Sequence, residues 1–344
     1  MTKRVVKGLG IGLALAVLSG CGTATHPTSA SAPITIGYEN APDPEAVAIA
    51  QHFFQKEMGP VKLEYFESGP AALTALASGK LDFMTTLGNP PTAAAIARGV
   101  PLEVIWAMER YTTGEGLVVR KSSHITSLKG LEGQSVALVK GSTSPFELET
   151  ALTLDHIPLT DVNEINMSPT EMVAAWKTGQ INAAYVWVPF DTEMAADGGR
   201  MLMYDQNVYQ TAPIFNLAVV NSRWAKTHRN AVEGFIRAES LGVQFFRQHP
   251  AKAYQDMAEV NGITASQARA QAAGLSFTTL AQQLTPSRLG SGSGVAHSLV
   301  TRSLTSAAAW LYRTGQIASL PHNMAQYVNP AYCAQVLKGT AGHD

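Results

Sequence analysis

Short apolar or β-branched runs alternate along this 344-residue chain with alanine-rich stretches that open on a polar residue and a proline. Five runs precede such a junction: 34–38 before Asp43-Pro44, 63–66 before Ser68-Gly69-Pro70, 83–87 before Asn89-Pro90, 135–139 before Ser144-Pro145, and 165–167 before Ser168-Pro169. Proline fits the first helical turn, where no backbone N–H is needed, and the polar residue before it fits the N-cap. Strands that alternate with helices at this spacing predict βαβ units and an α/β fold with mostly parallel sheets.

The helix starts carry further signals. Ser144 with Glu147 and Ser168 with Glu171 have the spacing of a capping box. Towards the carboxyl terminus we expect helices over 223–248, 250–260 and 296–312, which would wrap around the first of two lobes. The glycine-rich stretch 290–294 has no preceding strand and no following lysine, so it is predicted to be a loop rather than a phosphate site.

This arrangement predicts where a ligand binds. Open α/β sheets bind ligands in the crevice beyond the carboxyl ends of their strands. Several helix N-termini meet there, and their unpaired N–H groups and partial positive charge favour a small anion. Most of the polar residues at these junctions are explained by capping alone. The segment Gly141-Ser142-Thr143-Ser144 has three hydroxyls where a cap needs one, and we predict an anion site there.

The first 21 residues indicate export. Lys3, Arg4 and Lys7 precede an apolar run over 9–18, and Leu18-Ser19-Gly20-Cys21 is similar to the lipobox of bacterial lipoproteins. The apolar run is about half of the ~20 residues that cross a bilayer. We therefore expect a signal peptide over 1–20, lipidation of Cys21, and a tether over 21–32 that holds the protein to a membrane outside the cytoplasm. A plain signal peptide and an uncleaved anchor are the alternatives.

Length and charge narrow the function class. About 310 residues follow the tether, which predicts two lobes. Only 15% of the residues are charged, and the formal net charge is −1. Without a basic stripe, nucleic acid is not an expected partner. The nine histidines are scattered, and no metal-ligand or nucleophile motif is present, so we predict no catalytic residue, no metal and no cofactor. Cys333 has no partner if Cys21 is lipidated, and we expect it to be structural.

A set of motifs carries a family resemblance. They are Phe66-Glu67-Ser68-Gly69 with Ala75-Leu76-Ala77-Ser78-Gly79, Leu87-Gly88-Asn89-Pro90-Pro91, Gly114-Glu115-Gly116-Leu117, Ala184-Tyr185-Val186-Trp187-Val188-Pro189, and Ala212-Pro213. The chain resembles the taurine-binding proteins of ABC importers, within the sulfonate, nitrate and taurine group of periplasmic binding proteins. The resemblance covers most of the mature chain.

The resemblance implies a two-lobed periplasmic-binding-protein fold that closes over its ligand. Lobe 1 would comprise 33–117 plus 219–344 and lobe 2 would comprise 118–218, with hinge crossings near 115–119 and 215–220. It further implies a monomer that captures taurine or a related small sulfonate and delivers it to an ABC permease in the inner membrane.

The resemblance also implies a set of ligand contacts. Ser142 and Thr143 would hold sulfonate oxygens, and Asn89 stands where relatives carry a serine. Pro90 beside it removes one N–H donor. Tyr185 and Trp187 would form an aromatic wall near a short alkyl chain or an ammonium group, whereas Trp176 is expected in the core. Glu115 matches a family position near the hinge, where a structural hydrogen bond is the alternative role.

One difference from the family motifs bears on the identity of the ligand. Asn216 stands where the taurine-binding proteins carry an aspartate in Ala-Pro-x-x-Asp, and an ammonium group buried in a closed cleft needs a carboxylate. One hypothesis is that a carboxylate of another residue takes over that role; the candidates are Asp43, Glu67, Glu109 and Glu115. The other is that the ligand has no amine and is an alkanesulfonate, nitrate or a pyrimidine precursor. An extracytoplasmic enzyme or a sensor module is the alternative from a different class.

Overall fold

The computed structural model of the protein describes residues 32–340. Within them the strands are β1 Ile34–Tyr38, β2 Val61–Tyr65, β3 Phe83–Gly88, β4 Leu102–Tyr111, β5 Glu115–Arg120, β6 Ser135–Leu138, β7 Asn163–Asn166, β8 Ala183–Trp187, β9 Gly199–Tyr204, β10 Phe215–Asn221 and β11 Leu275–Phe277. They form a six-stranded sheet in the order β11-β4-β10-β3-β1-β2 and a five-stranded sheet in the order β7-β6-β8-β5-β9. The α/β prediction is confirmed, whereas the predicted signal segment and Cys21 lie outside the described residues.

The helices in the same part of the chain are α1 Pro44–Ala50, α2 Phe53–Met58, α3 Gly69–Ala77, α4 Asn89–Ala97, α5 Thr143–Leu154, α6 Pro169–Lys177, α7 Phe190–Ala196, α8 Ser222–Ala225, α9 Arg229–Gln248, α10 Pro250–Asn261, α11 Ala265–Ala272, α12 Leu280–Gln283, α13 Leu299–Arg313 and α14 Ala331–Thr340. No helix among the described residues has both the length and the apolar character needed to cross a bilayer.

The expectation of mostly parallel sheets is only partly correct. The strands β2-β1-β3 and β7-β6-β8 pair in parallel, as their βαβ connections require. The strands β4, β10 and β11 in one sheet, and β5 and β9 in the other, pair antiparallel. Several of these antiparallel strands flank the two points at which the chain changes sheet, where no helical crossover intervenes.

The chain passes between the sheets twice. It leaves β4 for β5 through residues 112–114 and returns from β9 to β10 through residues 205–214. The two links are tied together, because the backbone N–H groups of Gly114 and Glu115 donate to Oδ2 of Asp205 at 3.0 and 3.1 Å. The expected lobe boundaries at 117/118 and 218/219 fall inside β5 and β10, each of which pairs within one sheet. We therefore propose the two links as the crossings. The larger half is 33–111 with 215–340, and the smaller half is 115–204.

The burial of each strand agrees with its place in the sheet. All six residues of β3 are buried, and so are the first six of β10, as expected for strands covered on both faces. The edge strand β2 has no buried residue. In the smaller half all five residues of β8 are buried. The fully buried Trp176 confirms the expected core position, and its Nε1 donates to the carbonyl of Asp197 at 2.9 Å.

Some predicted helix starts differ in detail. Asp43 caps α1 through a hydrogen bond from the N–H of Ala46 at 3.0 Å, and the Ser168–Glu171 capping box is present. The cap of α5, however, is Ser142 and not Ser144, so the predicted Ser144–Glu147 box does not form. Asn89 is the first residue of α4 rather than its cap. The predicted helix over 223–248 is split into α8 and α9.

A close contact in the larger half gives a test of the packing. A Cβ added at Gly242 of α9 would lie 2.4 Å from the carbonyl oxygen of Pro44, at the start of α1. Because backbone cannot move away cheaply, we expect Gly242→Ala to lower the free energy of unfolding by about 1–3 kcal/mol. Gly339→Ala in α14 is the control, because nothing lies within 4 Å of its added Cβ. Denaturant unfolding measures both, and equal stability of the two variants would contradict the packing described.

Candidate ligand-binding site

A cavity lies between the two halves, at the carboxyl ends of their parallel strands. The space between its atoms is about 350 Å³ with open solvent included, and the centre of a water molecule can reach about 20 Å³ of it. Both halves contribute to its lining, which consists of Glu39, Asn40, Gly69, Pro70, Thr86, Gly88, Pro91, Tyr111, Glu115, Ser142, Thr143, Trp187 and Asn216. The crevice predicted from the helix starts is therefore present. Of the eight residues predicted to contact ligand, five line it: Glu115, Ser142, Thr143, Trp187 and Asn216.

Three helices direct their N-termini at this cavity. The starts of α3, α4 and α5 line it through Gly69, Gly88 and Thr143, respectively. Each of these helices follows the carboxyl end of a strand, so its N-terminus faces the crevice. Gly88 lets α4 approach α5 across the two halves, because an added Cβ would lie 2.9 Å from Cγ2 of Thr143. The cavity therefore has a region of partial positive charge suited to an anionic group.

The three hydroxyls at the start of α5 have specific partners. The Ser142 hydroxyl donates to the carbonyl of Val139 at 2.8 Å and accepts from the N–H of Ser144 at 3.2 Å, as an N-cap does. The hydroxyls of Thr143 and Ser144 donate to Oε2 and Oε1 of Glu115, both at 2.6 Å. Two of the three hydroxyls thus hold a buried carboxylate, a link across the smaller half that the sequence pattern did not indicate.

Asn216 sits in a polar group at the other side of the cavity. Its amide nitrogen donates to Oε1 of Glu109 at 2.6 Å and to the hydroxyl of Tyr111 at 2.8 Å. Asn216 and Tyr111 line the cavity, whereas Glu109 lies behind them. The amide therefore turns its donors towards Glu109 and brings no charge to the cavity.

The other three predicted residues do not line the cavity. The amide nitrogen of Asn89 lies 3.3 Å from the carbonyl of Pro213 and 3.4 Å from that of Ser303, and its side chain is buried. Asp43 is the cap of α1. Tyr185 is fully buried in β8, opposite Leu117, and is not part of the lining. Trp187 alone of the predicted aromatic pair lines the cavity, in register with Glu115.

Sequence reasoning missed Glu39 and Thr86. Glu39 follows β1 directly and lines the cavity. A charged residue at the carboxyl end of an apolar strand was the available signal. Thr86 has φ of 54° inside β3, which is unusual for a β-branched residue, and its hydroxyl donates to Oε2 of Glu45 at 3.1 Å. The sequence carries no signal for that backbone conformation.

The charged side chains that line the cavity are all acidic. Glu39 and Glu115 line it, and none of the described residues that line it is Lys, Arg or His. Burial raises the pKa of Glu115, and the hydrogen bonds from Ser144 and Thr143 lower it. Burial is the larger effect, and the resulting pKa is about 7. Burial, and then the charges of Glu115 and Glu45, raise the pKa of Glu39 well above its ordinary value. The cavity therefore favours protonated carboxyl groups or a ligand with a cationic group.

A group of three buried acids adjoins the cavity through Glu115. Carboxylate oxygens of Glu115, Glu147 and Asp205 come within 4.8 Å of one another, and among the described residues this is the set that could hold a metal ion. Burial, followed by the charges of Asp205 and Glu115, raises the pKa of Glu147 well above its ordinary value. A proton retained in this cluster can therefore take the place of a cation, and the expectation of no metal stays a prediction.

The two halves touch around the cavity. Nε1 of Trp310 in α13 donates to Oε2 of Glu149 in α5 at 2.8 Å. The hydroxyl of Thr170 in α6 donates to Oε1 of Glu67 at 2.9 Å. Contacts of this kind hold the smaller half against the larger one in the described arrangement.

The buried acids predict how stability depends on pH. Glu115 has a pKa of about 7 in the fold against an ordinary value of 4.5. The folded protein therefore binds the extra proton, and the free energy of unfolding falls as pH rises from about 4.5 to about 7. This single group accounts for a loss of about 3 kcal/mol.

We expect Glu115→Gln to flatten this fall by up to about 1.4 kcal/mol per pH unit over that range. Denaturant unfolding of the ligand-free protein at pH 5, 6, 7 and 8 measures it, with the exposed Glu259→Gln as the control. A slope in Glu115→Gln equal to that of the control would contradict the assignment.

Comparison with known proteins agrees with this geometry. The taurine-binding periplasmic protein of Escherichia coli (strain K12) is 28% identical over 306 residues, which cover 87% of this chain and 92% of that protein. The structure of the alkanesulfonate-binding protein from Xanthomonas axonopodis pv. citri bound to MOPS matches with a TM-score of 0.70 at 21% identity, covering 86% of this chain and 98% of that chain.

The desulfurization enzyme DSZB matches with a TM-score of 0.64 at 16% identity, covering 89% of this chain and 99% of that chain. At these identities the structural matches establish the fold, which is that of the periplasmic binding proteins. The match to the taurine-binding periplasmic protein of Escherichia coli confirms the resemblance inferred from the motifs. A family model described as NMT1/THI5 like matches residues 43–253, more than half of the chain, and the chain belongs to the NMT1/THI5-like family.

Proposed function

We propose that this protein is the solute-binding component of an ABC importer and captures a small sulfonate, with taurine as the first candidate. The observation that carries this is a cavity between two halves, in which the N-termini of α3, α4 and α5 face the side chains of Glu39 and Glu115. The helix ends favour the anionic group of a ligand and the carboxylates favour a cationic one. The taurine-binding relative supports the same ligand class.

Capture proceeds by closure of the two halves. A ligand held at once by α3 and α4 from the larger half and by α5 and Trp187 from the smaller half makes all its contacts only when the halves are closed. Binding therefore shifts the equilibrium towards the closed form by the difference in affinity between the two forms. The links at 112–114 and 205–214 are the proposed hinge, and the closed form is the one that the permease would recognise.

Binding, rather than catalysis, is the function that the cavity supports. The DSZB match means that the fold by itself does not separate the two classes. None of the described residues lining the cavity is Cys or His. Cys333 lies away from the cavity, where its thiol contacts the carbonyl of Ile105 at 3.3 Å and burial raises its pKa. A thiolate nucleophile is therefore not available from that residue.

We propose that the protein works outside the cytoplasm, held to the membrane by lipid on Cys21. The basic residues and apolar run before the lipobox-like Leu18-Ser19-Gly20-Cys21 support export and lipidation. A periplasmic relative supports the same compartment. The tether over 21–32 would keep a monomeric capture protein close to its permease.

A ligand panel tests the proposed function. We expect taurine to raise the melting temperature of the purified mature protein, and ethanesulfonate to do so less, because a ligand that binds only the folded state stabilises it. Nitrate is the comparison ligand, and calorimetric titration supplies affinities. Stabilisation by nitrate without any effect of either sulfonate would contradict the proposal.

The anchor has a separate test. We expect Cys21→Ala, expressed in a bacterium that processes lipoproteins, to leave the membrane fraction and lose incorporation of labelled fatty acid. Cys333→Ala is the matched control and should keep both properties. Retention of label by the Cys21 variant would contradict lipidation at that position.

A further inference from the structure

The charge around the cavity points to a cationic group on the ligand. Two carboxylates line the cavity, and no basic side chain does so among the described residues. The titratable groups that surround Glu39 are Glu45 of α1, Tyr65 of β2, Glu109 and Tyr111 of β4, and Glu115 of β5. All of them are acids, and none of the five salt bridges in the described part of the chain involves Glu39 or Glu115.

The hydrogen bonds separate the two cavity carboxylates. Both oxygens of Glu115 accept from hydroxyls, those of Thr143 and Ser144, at 2.6 Å. Oε1 of Glu39 is buried without any hydrogen-bond partner among the described residues. A buried oxygen without a hydrogen bond is energetically costly, so a ligand group that donates to it would bind favourably. The backbone N–H of Gly69, at the start of α3, hydrogen-bonds to Glu39 and lowers its pKa, so Oε1 is the oxygen of this cavity-lining carboxylate that has no donor.

The other candidate carboxylates do not line the cavity. Oδ1 of Asp43 accepts from the N–H of Ala46 at the start of α1. Glu67 accepts from the hydroxyl of Thr170, and Glu109 accepts from the amide of Asn216. None of the three belongs to the cavity lining. Asn216 does, but its amide nitrogen is used by Glu109 and Tyr111.

We propose that Glu39 is the counterion for a primary ammonium group of the ligand, and that it determines selectivity for zwitterionic over purely anionic sulfonates. This rests on the proposed function, which supplies the sulfonate. The sulfonate end would lie towards the N-termini of α3, α4 and α5. The ammonium end would donate to Oε1 of Glu39, at the carboxyl end of β1. Glu39, which follows β1, would thus supply the carboxylate that Asn216 of β10 lacks. The strands β1 and β10 belong to the same sheet.

The test compares two ligands that differ only at the relevant group. Taurine carries an ammonium group, and isethionate carries a hydroxyl in its place. By calorimetric titration we expect the wild type to prefer taurine by about 30-fold or more, because a buried charge that loses its partner costs at least that much in affinity. We expect Glu39→Gln to remove this preference by weakening taurine, with isethionate affinity unchanged or higher.

Two variants act as controls. Glu64→Gln lies in the neighbouring strand β2 and faces Lys62 at the surface, so it should keep the wild-type preference. Glu115→Gln should change both affinities by similar factors, because the Glu115 oxygens are already held by hydroxyls. Loss of the taurine preference in Glu115→Gln with retention in Glu39→Gln would overturn the proposal and assign the ammonium to Glu115.

The outcomes separate this proposal from the proposed function. Equal affinity of the wild type for taurine and isethionate would overturn the role of Glu39 while leaving sulfonate capture intact. Binding of neither sulfonate would overturn sulfonate capture and this proposal with it. If Glu39→Gln does not fold, as judged by its melting profile, Glu39→Ala takes its place with the same expected loss of the taurine preference, and an unchanged preference in that variant would overturn the role of Glu39.

Discussion

The carboxylate of Glu115 is the group on which the arrangement of the site depends. It accepts hydroxyl hydrogen bonds from Thr143 and Ser144, and thereby ties the start of β5 to the start of α5. Beside it, the backbone N–H of Gly114 donates to the side-chain carboxylate of Asp205 and so connects the two links between the sheets. One buried acid thus joins the ligand cavity, a helix N-terminus and the proposed hinge, and each hydrogen bond offsets part of its desolvation cost.

Buried acidic side chains surround a site that is predicted to bind an anion. This combination is consistent once the two ends of the ligand are considered separately. Helix N-termini supply partial positive charge from backbone groups, which needs no basic side chain in the cavity. The carboxylates then remain free to compensate a positive group. A cavity built this way is expected to bind a zwitterion better than either a simple anion or a simple cation.

The same fold supports capture and chemistry, since both a sulfonate-binding protein and a desulfurization enzyme share it. The difference must lie in the side chains of the cavity. Here the described lining consists of acids, amides, hydroxyls, aromatic rings and small residues. Such groups can hold and orient a ligand through hydrogen bonds.

Several features followed from local sequence because their causes are local. Asp43-Pro44 and Ser168-Pro169 begin helices because capping and the missing N–H of proline act within one turn. Once the strand and helix order was known, the crevice at the helix N-termini followed from topology. The position of Trp187 at the end of β8, against the cavity, followed in the same way.

Other features were decided only when distant segments came together. The hydroxyls of Thr143 and Ser144 donate to Glu115, which is 28 and 29 residues away from them in the chain. The amide of Asn216 donates to Glu109, 107 residues away. Tyr185 and Asn89 have the right residue types, but their side chains are buried away from the cavity. The sequence alone therefore determined the fold class, the helix starts and the edge of the sheets where a ligand binds. The tertiary structure decided which of the two cavity-lining carboxylates has an oxygen without a hydrogen-bond partner, because partners and burial depend on contacts between residues far apart in the chain.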